Sequence, residues 1–206
     1  MVDKKIPDII IGRLPKYLRS LQRMDREGRL VTSSKEMGER LGISAAQIRK
    51  DLSQFGEFGK QGKGYSVPFL IKQLSEILHV NHDWEVAVVG AGDIGSAVAH
   101  YKGFANRGFK IVLLFDNDPQ RIGTRIGELT IQDYSLLIET IQEKGIKIAI
   151  VAVPVTSAQE VTDNLVKAGV KAILSYAPVI INHPQDVYVQ YIDPSIHLQR
   201  MTYYLD

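Results

Sequence analysis

The 206-residue sequence predicts an α/β protein with an N-terminal winged helix-turn-helix domain and a C-terminal Rossmann domain, a doubly wound parallel sheet. Three observations carry that expectation. The first part of the chain is basic and helix-patterned. The second alternates Val/Ile/Leu-rich strands with amphipathic helices, the mark of a parallel sheet covered on both faces. Where that alternation begins stands the glycine-rich turn of "VAVVGAGDIGSAVAHY". The expected divisions are residues 1–80, 81–192 and a terminal helix over 193–206.

The helical part opens with Leu14, Leu18 and Leu21 at helical spacing, interleaved with Arg19, Arg23 and Arg26 and stopped by Gly28. "TSSKEMGERLG" then predicts a short helix with Ser33 or Ser34 as N-cap and Gly42 as its stop. "ISAAQIRKDLSQFG" predicts a second, capped by Ser44 and ended by Gly56. Two short helices joined by a tight turn are a helix-turn-helix or a plain helical hairpin. "GEFGKQGKGYSV" follows, a basic glycine-rich loop between β-prone flanks. It reads as a wing or as an ordinary hairpin with solvated lysines. "PFLIKQLSEIL" predicts a helix, and "HVNHDW" a polar domain boundary.

Beyond it, "EVAVVG", "KIVLLFD", "ELTIQD", "IKIAIVAVP", "VKAILSYAPV" and "DVYVQYID" predict strands. The helices between them start near Ile94, at "SLLIETIQEKG", and at "TSAQEVTDNLVKAG" with Thr156 or Ser157 as cap. "DPSIHLQRMTYYL" predicts a last helix, with Asp193 as N-cap and Pro194 in its first turn. Its apolar side (Ile196, Met201, Tyr204, Leu205) can pack on its own domain or reach a second subunit.

Composition narrows the function. There is no cysteine, which excludes disulfides, thiolate catalysis and Cys-based zinc sites. No apolar run reaches bilayer length, and "MVDKKIPDII" lacks a signal-peptide core, so a cytoplasmic location is expected. Residues 1–64 hold 14 Lys/Arg against 8 Asp/Glu, and the remainder 11 against 15, giving +6 and −4. A basic first part joined to an acidic second points to a polyanion partner for the first alone.

Gly90, Ala91, Gly92, Asp93, Ile94 and Gly95 match G-x-G-x-x-G between a buried strand and a helix. The glycines allow a tight turn, close approach of a pyrophosphate, and close helix–strand packing. Asp116, 21 residues beyond Gly95, ends the next strand and is followed by Asn117. An acid there accepts from ribose hydroxyls and repels a 2′-phosphate, favouring NAD(H) over NADP(H). A coenzyme A site is the related alternative. Val153 and Pro154 of "VAVP", and Tyr176, Ala177 and Pro178 of "SYAP", are expected to wall the crevice at later strand ends.

An enzyme is not expected. His100, His183 and His197 fall in no acid/base constellation, His79 and His82 sit in the linker, and no metal-ligand spacing occurs. An NAD-dependent oxidoreductase, or a coenzyme A-binding protein with an accessory N-terminal domain, stays as the alternative.

In "RLPKYLRSL", "SSKEMGERLGISAAQIRKDLSQFGEFGKQGKGY", "VVGAGDIGSAVAHY", "FDNDPQRIG", "AVPVTSAQ" and "IDPSIHLQRMTYYL", the chain closely resembles the Rex family of redox-sensing transcriptional repressors over essentially its whole length. The resemblance implies a homodimer with its last helix swapped into the partner, and NADH and NAD⁺ as effectors rather than redox reagents. NADH would release double-stranded operator DNA. It implies a switch through Arg13, Asp193 and Tyr101, with Tyr101 also among the cofactor-binding residues, and a helix-turn-helix region from about Lys16 to Phe55. Within that region Ser44, Ala45, Gln47, Arg49 and Lys50 are the DNA-facing candidates, joined by Lys60 and Lys63 of the wing. The chain departs from the family where many members carry "DFSYFG": it has Leu52, read as a core replacement, and Gln54. Pro194 is a third departure.

Overall fold

The structure, a computed structural model, describes residues 6–60 and 64–205, with Lys60 described in its backbone alone. Lys63 therefore lies outside the described residues. The chain forms two compact units that divide between His82 and Asp83.

The first unit contains α1 (Asp8–Ile11), α2 (Leu14–Arg26), β1 (Val31–Thr32), α3 (Ser34–Leu41), α4 (Ala45–Leu52), β2 (Gly59–Lys60), β3 (Gly64–Ser66) and α5 (Val67–Ile77). The leucine spacing of α2 produces an apolar inner face, with the Tyr17 hydroxyl as its one polar group. Leu14, Tyr17, Leu21 and Met24 pack with Met37, Ile48, Leu70 and Leu74 into one core. Each such side chain contributes about 1.5–3 kcal/mol by leaving water. Leu52 joins this core at 2 % exposure, as its reading as a core replacement requires.

The strands form an antiparallel sheet in the order β1-β3-β2. Strands β2 and β3, which follow α4, make the wing of a winged helix, and β1 from before α3 completes their sheet. The sequence pattern did not announce β1, because two residues are too few to show a period. Helix α4 also ends at Leu52, with Ser53 as C-cap, before the expected stop at Gly56. Gln54 and Phe55 continue as turns, bonded back to Asp51 and Leu52 carbonyls.

The second unit contains β4 (Trp84–Val89), α6 (Asp93–His100), β5 (Phe109–Asp116), β6 (Arg125–Ile126), β7 (Leu129–Asp133), α7 (Leu137–Lys144), β8 (Ile148–Val151), α8 (Val155–Lys167), β9 (Ala172–Ser175), β10 (Tyr188–Tyr191) and α9 (Pro194–Thr202). The strand order is β10-β9-β8-β4-β5-β7-β6, parallel throughout except for the antiparallel edge strand β6. The chain runs outward from β4 through β5 to β7, then returns beside β4 with β8 and continues to β10. That reversal makes the carboxyl ends of β4 and β8 a topological switch point, where such folds bind ligands. Alternation along β4 builds both faces: Ala87 and Val89 pack on one side, Val86 and Val88 on the other.

Helix α8 corrects one expectation. It starts at Val155 with Pro154 as N-cap, and no side chain caps it, so neither Thr156 nor Ser157 has that role. The ring of Pro154 fixes its φ at −56° and delivers the chain into the helix at Val155, two residues before a Thr156 cap would have started it. Helix α9 is capped by Asp193, which accepts from the Ser195 N–H at 2.9 Å, and none of its residues is buried. It therefore does not pack on its own unit.

Candidate nucleotide site and nucleic-acid interface

The glycine turn lies at the switch point. Gly90 has φ +95°, and a Cβ there would meet the Ala152 carbonyl oxygen at 2.4 Å. A Cβ on Gly95 would stand 1.7 Å from the Gly90 carbonyl oxygen. Both glycines are demanded by the protein's own packing. Gly92 is different. Its φ is −67°, which any residue adopts, and a Cβ would approach nothing nearer than Arg121 Nη1 at 3.5 Å. A glycine that internal packing does not require, at the N-cap of α6 with no capping side chain, fits backbone approach by a phosphate group. The residues present thus fit a dinucleotide.

A cavity of about 420 Å³ opens beside this turn. The structure brings to it Gly90, Gly92, Asp116, Asn117, Val153 and Pro154 of the sequence candidates. Ala91, Asp93, Ile94, Gly95, Tyr101, Ala177 and Pro178 are not in its lining. Ala91 is buried below the turn, and Ala177 packs with Ala158 and Ile181. No histidine lines the cavity among the described residues.

Both oxygens of Asp116 are engaged. Oδ2 accepts from the Ala91 N–H at 2.6 Å and Oδ1 from the Asp118 N–H at 2.9 Å. The carboxylate therefore ties the glycine turn to the end of β5, with lone pairs left for a ribose.

Sequence reasoning missed Asp118, Arg121, Tyr134, Ser157 and Glu160, all of which line the cavity. Arg121 Nε pairs with Asp118 Oδ2 at 3.2 Å and holds its guanidinium over Gly92. Tyr134 accepts a hydrogen bond from Asn164 Nδ2 at 2.9 Å, and burial pushes its phenol pKa up. The signal for Asp118 and Arg121 was present in "FDNDPQRIG": they follow the acid at the strand end, where the crevice opens.

In the first unit, Ser33 accepts from the Glu36 N–H at 3.1 Å and Ser44 from the Gln47 N–H at 3.2 Å, capping α3 and α4. Gly38 lets the intervening turn close, since a Cβ would meet the Ile43 carbonyl oxygen at 2.4 Å. Ser44, Arg49 and Lys50 are exposed on α4, and Ala45 and Gln47 half-buried. Arg49 donates to Ser34 Oγ at 3.0 Å, and Gln47 donates to Asp51. Lys60 stands in β2, paired with Gly64 across the wing.

The three switch candidates each have partners in their own unit. Arg13 donates from Nε and Nη2 to the two oxygens of Asp51, at 2.6 and 2.8 Å. Tyr101 ends α6, accepts from Arg107 Nη1 at 3.2 Å and meets Phe104 edge-on. Asp193 caps α9, and the Ser195 contacts hold its carboxyl below the usual range.

Two family models match, a putative DNA-binding protein N-terminus over residues 5–53 and a CoA binding domain over residues 81–179. The redox-sensing transcriptional repressor Rex of Chloroflexus aurantiacus is 56 % identical over 199 residues, covering 97 % of this chain and 94 % of that protein. The Rex of Pelotomaculum thermopropionicum is 45 % identical over 201 residues, covering 98 % of this chain and 94 % of its own length. Among solved structures, RSP in complex with β-NAD⁺ and operator DNA superposes with a TM-score of 0.93 at 34 % identity, covering 98 % of this chain and 94 % of RSP. RSP in complex with β-NADH gives 0.89 at 32 % identity, covering 98 % and 95 %. With near-complete coverage at these identities, the chain belongs to the Rex family of redox-sensing transcriptional repressors.

Proposed function

We propose that this chain is a DNA-binding repressor that reads the NADH/NAD⁺ ratio, with NADH at the second unit releasing the first from operator DNA. One observation carries the reading. A winged helix with an exposed basic α4 is joined in one chain to a glycine turn whose Gly92 is shaped for a ligand. The nucleotide is then a signal. It shifts a balance between two arrangements only by its difference in affinity for them, and by linkage DNA shifts nucleotide affinity equally.

The nucleotide is held by Gly90, Gly92, Asp116 and Asn117, with Val153 and Pro154 along the crevice. The pyrophosphate lies at the start of α6, and Arg121 supplies a cation above it. Helix α4 enters the major groove with Ser44, Ala45, Gln47, Arg49 and Lys50, and the wing lysines Lys60 and Lys63 bind backbone phosphates. A homodimer places two such helices on a two-fold operator, with α9 exchanged between subunits. Arg13, Asp193 and Tyr101 couple the two sites. The protein works in the cytoplasm and is a regulator, not an enzyme.

The test is a mobility shift on operator DNA, titrated separately with NADH, NAD⁺ and coenzyme A. Release by NADH at concentrations where NAD⁺ leaves the complex intact is the expected result. Release by coenzyme A alone, or indifference to all three, overturns the reading. Steady turnover of NADH with a small carbonyl compound would instead make the chain an oxidoreductase.

A further inference from the structure

Asp51 is an acidic residue on the last turn of the basic helix α4, and it is fully buried. It accepts four hydrogen bonds. Arg13 Nε and Tyr17 Oη reach Oδ2, both at 2.6 Å. Arg13 Nη2 and Gln47 Nε2 reach Oδ1, at 2.8 and 2.7 Å. These saturate the carboxylate, so Asp51 has nothing to offer DNA directly. What it does is join three elements: the α1–α2 junction through Arg13, the first turn of α2 through Tyr17, and the DNA-facing side of α4 through Gln47.

The contact to Gln47 has a chemical consequence. A glutamine amide can be turned either way, and each orientation exchanges donor for acceptor. Asp51 accepts only, so it fixes the Nε2 side of the amide toward itself. One N–H and the Oε1 oxygen remain, which is the donor–acceptor pair that adenine N7 and N6 require. We infer that Asp51 is a positioning residue for sequence readout: clamped by Arg13 and Tyr17, it orients Gln47 to specify an adenine in the major groove. This rests on the DNA-binding reading above and adds a base and a residue to it.

Full-length protein is used to enrich duplexes from a random pool, and single-base variants of the enriched sequence are then titrated by fluorescence anisotropy. The wild type is expected to lose about tenfold in affinity when one adenine is replaced. Gln47→Ala should abolish that preference, Asp51→Asn should abolish it too, and the double variant should add nothing. In Asp51→Asn one oxygen becomes an NH2 facing a donor, so the clamp opens on either side. In Asp51→Asn, affinity for random duplex and its salt dependence should stay unchanged, because the phosphate contacts are untouched. Retained preference in Asp51→Asn, or additive effects in the double variant, overturns the inference while leaving the repressor reading in place. A wild type that enriches no sequence sinks that reading instead. If Asp51→Asn does not fold, Tyr17→Phe and Arg13→Lys carry the test. Each should lower the preference about threefold, and an unchanged preference in both overturns the inference.

Discussion

Asp116 Oδ2 accepts a hydrogen bond from the Ala91 N–H at 2.6 Å, so the acid at the end of β5 is a structural tie to the glycine turn in addition to its proposed role as ribose acceptor. Its two roles separate by substitution. Asp116→Asn keeps the size but loses one acceptor oxygen and the charge, and NADH affinity should fall about tenfold. Asp116→Ala removes the tie altogether and should cost both nucleotide affinity and about 1–3 kcal/mol of stability, as buried N–H groups lose their partner. Isothermal titration and thermal unfolding of the two variants check this. Wild-type affinity in Asp116→Ala would overturn the ribose assignment.

The three glycines of the turn should respond differently to alanine. Gly95→Ala drives a Cβ to 1.7 Å from the Gly90 carbonyl oxygen, and Gly90→Ala meets Ala152 in a φ of +95°. Both should destabilise the second unit by about 2 kcal/mol or more. Gly92→Ala meets only Arg121 Nη1 at 3.5 Å. Its melting temperature should match the wild type while NADH binding falls at least about tenfold. A Gly92→Ala protein that binds NADH normally would show that no phosphate approaches there.

These contrasts show what sequence patterning could and could not supply. The strand–turn–helix frame was legible because apolar period and glycine spacing are local, and Asp116 could be expected beside the cavity because the end of the next strand lies at a set distance from the turn. Tyr134, Ser157 and Glu160 were not legible: they reach the cavity from just beyond the end of β7 and from the first turns of α8, which only the strand order of the sheet brings together, and no local pattern reports that order. Asp51 illustrates the same limit. In sequence it is one acid among basic residues of a DNA-facing helix. Only folding α2 against α4 brings Arg13 and Tyr17 to it across 38 and 34 residues.

Acid should weaken the first unit through Asp51. Burial pushes its carboxyl pKa up, but the hydrogen bonds from Arg13, Tyr17 and Gln47 outweigh burial and hold it below the usual value. The folded pKa therefore lies below the unfolded one, near ~3.9. The stabilisation is complete above the unfolded value and is lost as pH falls through the folded value. Asp51→Asn should be less stable by about 2–4 kcal/mol at neutral pH, the cost of leaving the Arg13 charge and its neighbours unpaired. Its stability should also fall less steeply than the wild type's below about pH 4. Urea titrations at stepped pH, followed by a probe of the first unit, give the difference curve. Parallel curves would mean that Asp51 titrates normally.

Helix α9 should dissociate the protein when it is made polar. Its apolar residues face solvent, Ile196 at 61 %, Leu198 at 62 % and Met201 at 61 % exposure, with no buried residue in the helix, and Leu205 just beyond it is 78 % exposed. An apolar patch of this kind marks an interaction site in a folded protein, and a second copy supplies a partner with the same surface. A carboxylate at the centre of such an interface is buried without a partner. Leu198→Asp combined with Met201→Asp should therefore convert the proposed dimer into a monomer in sedimentation equilibrium. The second unit should stay folded, because nothing in its core depends on α9. Operator affinity should fall steeply in the same variant, since one recognition helix can hold only one half-site. A double variant that sediments as a dimer and binds operator normally would place the interface elsewhere.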